Sequence, residues 1–247
     1  MSAQPYNLPP RNPSLVPSFV RALPEQGAGK LALFDADGTL WRDDVADDFA
    51  RFMIDSGHVT ADVSWGEYLR IYRDDHAVGC EFMLRFYTGM ARSFMVEQAR
   101  GWWATHAKRR WVPEVLESLY LLAERGYTLW VVTGSPTETM VPLLDFLPVH
   151  AIVGMDFELT EGGVITGALT GIRCADGGKA DKVLSLAGGR PVLFAAGNGT
   201  LDTAMIELAE GVRWSVYPNA AFHALSKDKG WHILERPSDF LEEQKLA

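Results

Sequence analysis

Asp35 and Asp37 stand two residues apart in the segment FDADGTLW. Four mostly apolar residues, LALF, precede Asp35, so its carboxylate is expected to be partly buried. If strand geometry continues past Phe34, both acids point the same way. Two carboxylates this close repel, and at least one needs a cation or a proton. A hard divalent ion such as Mg²⁺ prefers oxygen ligands and would also shield an incoming phosphate. Gly38 permits a sharp turn, and Thr39 can tie that turn through its hydroxyl.

Two further strand ends carry polar groups. TLWVVT ends in Thr133, followed by Gly134 and Ser135. PVLFAA is followed by Gly197, Asn198, Gly199 and Asp202, and Lys179 opens the helix that leads into it. Open parallel sheets bind ligands beyond the carboxyl ends of their strands. Convergence of three such ends is therefore more informative than any one motif.

The elements that must position these groups can be read from periodicity. The apolar runs 30–35, 128–133, 150–153, 191–196 and 213–217 suit buried strands. Between them lie helical stretches at 113–125, 137–147, 179–187, 201–209 and 220–227, and FELTEGGVITGALTG reads as a hairpin turning at 161–163. A short helix is expected within 14–24, weakened by Pro17. Alternating strands and helices imply an α/β fold, a doubly wound parallel sheet covered on both faces. Residues 42–112 differ in character: aromatics and charges recur at helical spacing with no strand-like alternation. They read as a module of about four helices inserted after the first strand, with 1–41 and 113–247 forming the core.

Composition narrows the function. The chain has 247 residues and a net charge of -9. That balance argues against broad binding to nucleic acid or to an anionic membrane. It does not forbid an anionic substrate, because a metal and a lysine can invert the field locally. No apolar run of transmembrane length and no signal-peptide core appear, so a cytoplasmic protein is expected. Cys80 and Cys174 form no CxxC pair and are expected to be reduced thiols. Gly27–Lys30 lacks the spacing of a phosphate-binding loop, Gly134-Ser135-Pro136 lacks the flanks of a nucleophile elbow, and the six histidines show no paired zinc spacing.

Taken together and in this order, DADGT, the strand ending in Thr133, Lys179 and GNGTLD resemble the haloacid dehalogenase superfamily. VVTGSP and GGKADKV look most like its phosphoserine-phosphatase-like members, and the helical module resembles their C1-type cap. The resemblance spans about residues 30–217. It implies that Asp35 is the nucleophile that becomes phosphorylated and that Asp37 is the acid and base. Thr133 and Gly134 would hold the phosphoryl oxygens, and Lys179 would neutralise their charge. The Mg²⁺ ligands would come from Asp35, Asp37, Asn198 and Asp202, with Asp202 also able to orient Lys179. The commoner form of the family has Asp where Asn198 stands, so one negative charge is missing and metal affinity is expected to fall. Asp44 sits where relatives recognise a substrate amine, although the run Asp43, Asp44, Asp47, Asp48 also suits a solvated turn. Arg70 and Arg73 could meet a carboxylate or pair with Asp74 and Asp75. Most cap aromatics, among them Trp65, Tyr68, Tyr72, Phe82, Phe86, Tyr87, Trp102 and Trp103, are expected to be core. The activity implied is Mg²⁺-dependent hydrolysis of a small phosphorylated metabolite. Phosphotransfer and a non-catalytic binding role remain alternatives.

Overall fold

The computed structural model describes residues 8–106 and 110–237, together with Tyr6. Six strands form one sheet: β1 (Leu31–Phe34), β2 (Thr128–Pro136), β3 (Ala151–Met155), β6 (Val192–Gly197), β7 (Val212–Val216) and β8 (His232–Leu234). Every neighbouring pair is parallel, in the order β3-β2-β1-β6-β7-β8. The apolar runs explain the burial: Leu31, Ala32, Leu33 and Phe34 are all fully covered. β1 lies mid-sheet, with β2 on one side and β6 on the other. Chain direction around the sheet reverses there, and a crevice opens at the carboxyl edge.

Helices cover both faces in the expected alternation. α6 (Pro113–Glu124) starts with proline in its first turn and buries Val115, Leu116, Leu119 and Leu122 on one face. α8 (Gly177–Ala187), α9 (Thr203–Glu207) and α10 (Ala220–Asp228) follow the later strands. β4 (Phe157–Leu159) and β5 (Ile165–Leu169) form the expected antiparallel hairpin.

Between β1 and β2 run α2 (Val45–Asp55), α3 (Trp65–Asp74), α4 (His76–Phe82), a 3₁₀ turn at Met83–Tyr87 and α5 (Arg92–His106). Asp44 caps α2 by accepting from the Asp47 amide, and Asp47 and Asp48 complement the helix dipole in its first turn. Ser64 and Asp75 cap α3 and α4 in the same way. The module is fastened to the core through α5. Arg92 Nε bonds Glu138 Oε1 at 2.5 Å, Arg100 Nε bonds Asp145 Oδ2 at 3.0 Å, and Trp103 Nε1 donates to the Thr139 carbonyl at 2.8 Å. The hairpin adds to this: Gly89 and Arg92 amides donate to the Ile165 and Gly163 carbonyls.

Several elements differ from the sequence reading. The expected helix at 137–147 is α7 (Thr137–Met140) followed by a 3₁₀ turn at Val141–Asp145, because Pro142 cannot supply an amide to a continuing helix. Pro17 likewise splits 14–24 into a 3₁₀ turn at Pro13–Leu15 and the single turn α1 (Ser18–Arg21). β2 runs three residues past Thr133, with a register shift between Val132 and Pro136. β8 is an edge strand the sequence reading did not anticipate. Among the described residues no helix is long and apolar enough to cross a membrane.

Candidate active site

Asp35 follows β1 directly and is 5% exposed. Its Oδ2 accepts from Thr39 Oγ1 at 2.8 Å, so the turn that Gly38 permits returns a hydroxyl to the carboxylate. Its Oδ1 accepts from Lys179 Nζ at 2.7 Å. Lys179 comes from the first turn of α8 and also donates to Asp202 Oδ1 at 2.6 Å and to the Val132 carbonyl at 3.2 Å. One buried ammonium therefore joins the ends of β1, β2 and β6, drawing on residues up to 144 positions apart.

Lys182, one turn further along α8, is equally buried but faces elsewhere. Its Nζ donates to the Gly154 carbonyl and Asp156 Oδ2, each at 2.6 Å. The two lysines are thus sorted by partner, and Lys179 alone of the two reaches Asp35.

Charge at this point is not balanced. Burial, and after it the negative charge of Asp202, lifts the Asp35 carboxyl to about 7. Burial pulls Lys179 down, but Asp202 and Asp35 together outweigh it and raise the ammonium above its usual range. One cation shared between two carboxylates leaves the site net anionic before Asp37 is added.

Trp41, Val45 and Ser135 donate to the Asp37 carboxylate. Its Oδ1 accepts from Trp41 Nε1 at 2.8 Å and from the Val45 amide at 2.7 Å, and its Oδ2 from Ser135 Oγ at 2.8 Å. The sequence reading placed Ser135 among the polar groups after the second strand without giving it a role, and did not single out Trp41. A signal was present: Trp41 stands four residues after Asp37, and Ser135 stands two after Thr133, on the same side of an extended chain.

Thr133 is 1% exposed, and its Oγ1 accepts from the Ser135 amide at 3.1 Å. Thr133 and Gly134 line a cavity of about 350 Å³ together with Asp35, Asp37, Lys179 and Asn198. Cys80 closes on Gly134 so tightly that an added Cβ there would lie 3.0 Å from its sulfur. All catalytic, phosphate-binding and metal-ligating candidates of the sequence therefore share one cavity.

The cavity's far wall belongs to the helical module. Asp44, Tyr68, Tyr72, His76 and Cys80 line it. Tyr68 donates to Asp47 Oδ1 at 2.5 Å. Burial first, then the charges of Asp37 and Asp47, push Asp44 well above the carboxylate range. Burial and Asp44 push the Cys80 thiol up to about 12. Of the acid run, Asp43 instead pairs with Arg110 at 2.8 Å, and Arg70 pairs with Asp74 at 3.6 Å. Most of the module's aromatics are core as expected; of those named, Tyr68 and Tyr72 reach the cavity.

Asp35, Asn198 and Asp202 offer oxygen donors, which suit Mg²⁺ rather than a softer ion. Among the described residues no group of three histidines, cysteines or acids forms a ready-made cluster. Asn198, whose side-chain amide carries one oxygen, lines the same cavity as Asp35 and Asp202. Gly38, at φ 78°, leaves room for it, since a Cβ there would lie 1.9 Å from Asn198 Nδ2. Asp202 accepts from the Asn198 and Gly199 amides at 3.0 Å each, which fixes the loop that carries Asn198. The excess negative charge and the hard donors fit a divalent cation. The Asp37 carboxylate already accepts from Trp41, Val45 and Ser135.

Comparison with known proteins agrees with this fold. The chain's fold is similar to that of a protein of unknown function from Bordetella pertussis Tohama I, with TM-score 0.72 and 19% identity, over 84% of this chain and 99% of that one. It is similar to a HAD family hydrolase from Salmonella enterica serovar Typhi, with TM-score 0.60 and 16% identity, over 85% and 68%. It is also similar to a substrate-bound phosphoserine phosphatase, with TM-score 0.59 and 18% identity, over 84% and 93%. No functionally curated protein matches it by sequence. The family model for haloacid dehalogenase-like hydrolases matches residues 32–207. That span runs from β1 through α9 and contains every candidate site residue, and on it the chain belongs to the haloacid dehalogenase-like hydrolases.

Proposed function

We propose that the protein is a Mg²⁺-dependent phosphomonoester hydrolase acting on a small phosphorylated metabolite, with Asp35 as the nucleophile. The observation that carries this reading is the Lys179 ammonium, buried and bonded at once to Asp35 and Asp202 where three strands end. Residues 42–112 act as a cap over the site, with residues 1–41 and 113–247 as the core.

Asp35 attacks phosphorus and forms an aspartyl-phosphate. The bond to the leaving oxygen breaks, and Asp37 gives that oxygen a proton. In the second half water returns the proton to Asp37, its oxygen bonds phosphorus, and Asp35 is released with inorganic phosphate. Thr133 and the Gly134 amide hold phosphoryl oxygens, and Lys179 offsets charge that builds on them. Asp35, Asn198 and Asp202 would hold Mg²⁺, which when bound supplies a counter-charge to the phosphoryl group. Asp44 faces the leaving group, and a cationic substituent there would relieve the negative charge that raises its carboxyl. The cap walls exclude bulk water from the cavity.

The test is turnover of p-nitrophenyl phosphate and of a panel including phosphoserine and phosphocholine, with Mg²⁺ and with chelator. Asp35→Asn is expected to abolish turnover and to abolish the phosphoryl adduct seen by mass spectrometry after acid quench. An Asp35→Asn variant that keeps a near-normal rate would remove Asp35 from the mechanism.

A further inference from the structure

We infer that the leaving alcohol of the substrate carries a quaternary ammonium group, that a row of cap rings, Tyr68, Tyr72 and His76, receives it, and that Tyr72 sets the preference for it. This rests on the phosphatase reading above and names its substrate class.

Helical spacing builds the row. Tyr68 and Tyr72 stand four apart on α3, and His76 follows four later, where α4 begins. Residues four apart on a helix share a face. The Tyr68 and Tyr72 rings lie 5.6 Å apart, and Tyr72 stacks on His76 at 4.6 Å. All three line the catalytic cavity. Trp65 extends the row, 4.9 Å from Tyr68, and already holds the Arg51 guanidinium 4.6 Å from its ring centre. Close packing leaves α3 no room to shift at Tyr72, since a Cβ on Gly79 of α4 would lie 2.5 Å from Tyr72 Cα. Tyr68 is held through its hydroxyl, which donates to Asp47 at 2.5 Å.

Charge selects among the groups that rings can take. Asp44 lines the same wall, and its negative charge reaches both tyrosines. Among the described residues, α2 to α5 add no lysine or arginine to the lining. Arg70 of α3 pairs with Asp74 at 3.6 Å instead. The two arginines that do line the cavity, Arg42 and Arg236, gather at Tyr217, just past β7. One lies over its ring at 5.5 Å, and the other donates to its carbonyl at 2.8 Å. The cap wall therefore favours a cation over a carboxylate. A primary ammonium brings three N–H donors, each of which needs an acceptor. The ring faces, Ala46 and Met83 supply none along this wall. A quaternary ammonium has no N–H to satisfy, and aromatic faces attract such a cation through the ring quadrupole.

The experiment compares esters that differ in one property each. 3,3-Dimethylbutyl phosphate has the shape of phosphocholine without its charge. Phosphoethanolamine keeps the charge without the methyl groups, and phosphoserine adds a carboxylate. kcat/KM is measured for these and for p-nitrophenyl phosphate with Mg²⁺, on wild type, Tyr72→Leu and Tyr72→Phe, alongside thermal unfolding. Wild type is expected to favour phosphocholine by at least about tenfold over each of the other three alkyl esters. Tyr72→Leu is expected to lose at least about fivefold more on phosphocholine than on 3,3-dimethylbutyl phosphate. Tyr72→Phe, which keeps the ring, is expected to retain most of the wild-type preference. A wild type that turns over p-nitrophenyl phosphate but takes phosphoserine, phosphoethanolamine or the neutral ester as well as phosphocholine would overturn this inference and leave the phosphatase reading intact. Equal losses on the charged and neutral esters in Tyr72→Leu would overturn it too. A wild type that hydrolyses none of these esters would end the phosphatase reading and this inference with it. Should Tyr72→Leu unfold, the wild-type series decides alone.

Discussion

Replacing Lys179 by methionine keeps the length of the side chain and removes its charge. Asp35 at 5% exposed and Asp202 at 2% would then face one cavity without the ammonium between them. Removing one member of a buried ion pair costs about 3–5 kcal/mol. Here a single ammonium serves two carboxylates at 2.7 and 2.6 Å, which places the loss near the upper end, about 5 kcal/mol around pH 8. At about 2–4 °C per kcal/mol for a chain of this size, the midpoint should drop by about 10–20 °C. The sign of the pH dependence follows from Asp35. Its carboxyl is raised to about 7, so the folded protein holds that proton more tightly than the unfolded chain does. Charging it costs stability as pH climbs from the unfolded value of about 4 through 7. Without Lys179, which now lowers it, the carboxyl rises further. Near pH 5 the variant escapes repulsion by taking up protons; near pH 8 it does not. The deficit measured by urea unfolding in chelator should therefore shrink by up to about 1.4 kcal/mol, one unit of differential binding, from pH 8 to pH 5. Mg²⁺ should restore part of it at the higher pH. A deficit below about 1 kcal/mol, or one that grows toward acid, would refute the shared-cation account.

Two other outcomes are expected. Asn198→Asp adds a hard anionic donor where an amide now stands, and Mg²⁺ should bind about tenfold tighter, or about 1.4 kcal/mol, by calorimetric titration; an unchanged affinity would take residue 198 out of the ligand set. Gly38→Ala combines positive φ with a Cβ 1.9 Å from Asn198 Nδ2. It should cost about 1–3 kcal/mol in denaturant unfolding and weaken Mg²⁺ binding as Asn198 is displaced; wild-type stability with wild-type affinity would show that the turn relaxes freely.

Much of this site was legible before any fold was known, because strand ends in a parallel sheet share one edge. Asp35, Thr133 and Asn198 each follow an apolar run, and that rule alone predicts that they meet. The sheet order was not legible: nothing in an apolar pentamer says which neighbour it takes. Trp41 shows another limit. Buried tryptophans are usually core, and its ring is core, but its N–H reaches Asp37. The acid run shows a third. Asp44 caps a helix, Asp47 accepts from Tyr68 and Asp43 pairs with Arg110, 67 residues away. Adjacent residues of one type had different partners, and distant pairing leaves no local pattern. β8 escaped notice because three residues carry too little periodicity to register.

The hydrogen bonds from the Asn198–Gly199 loop to Asp202 bear on how the protein ages. Asparagine followed by glycine is the pair most prone to cyclise: the glycine nitrogen attacks the amide carbon, ammonia leaves, and hydrolysis yields aspartate or its isomer. In this loop the Gly199 nitrogen donates to Asp202 Oδ2 and the backbone at Gly199 is extended, with φ -143° and ψ 173°. The would-be nucleophile is engaged elsewhere. The carboxylate that steadies Lys179 also holds this nitrogen, so conversion of residue 198 into an acid is expected to be slow.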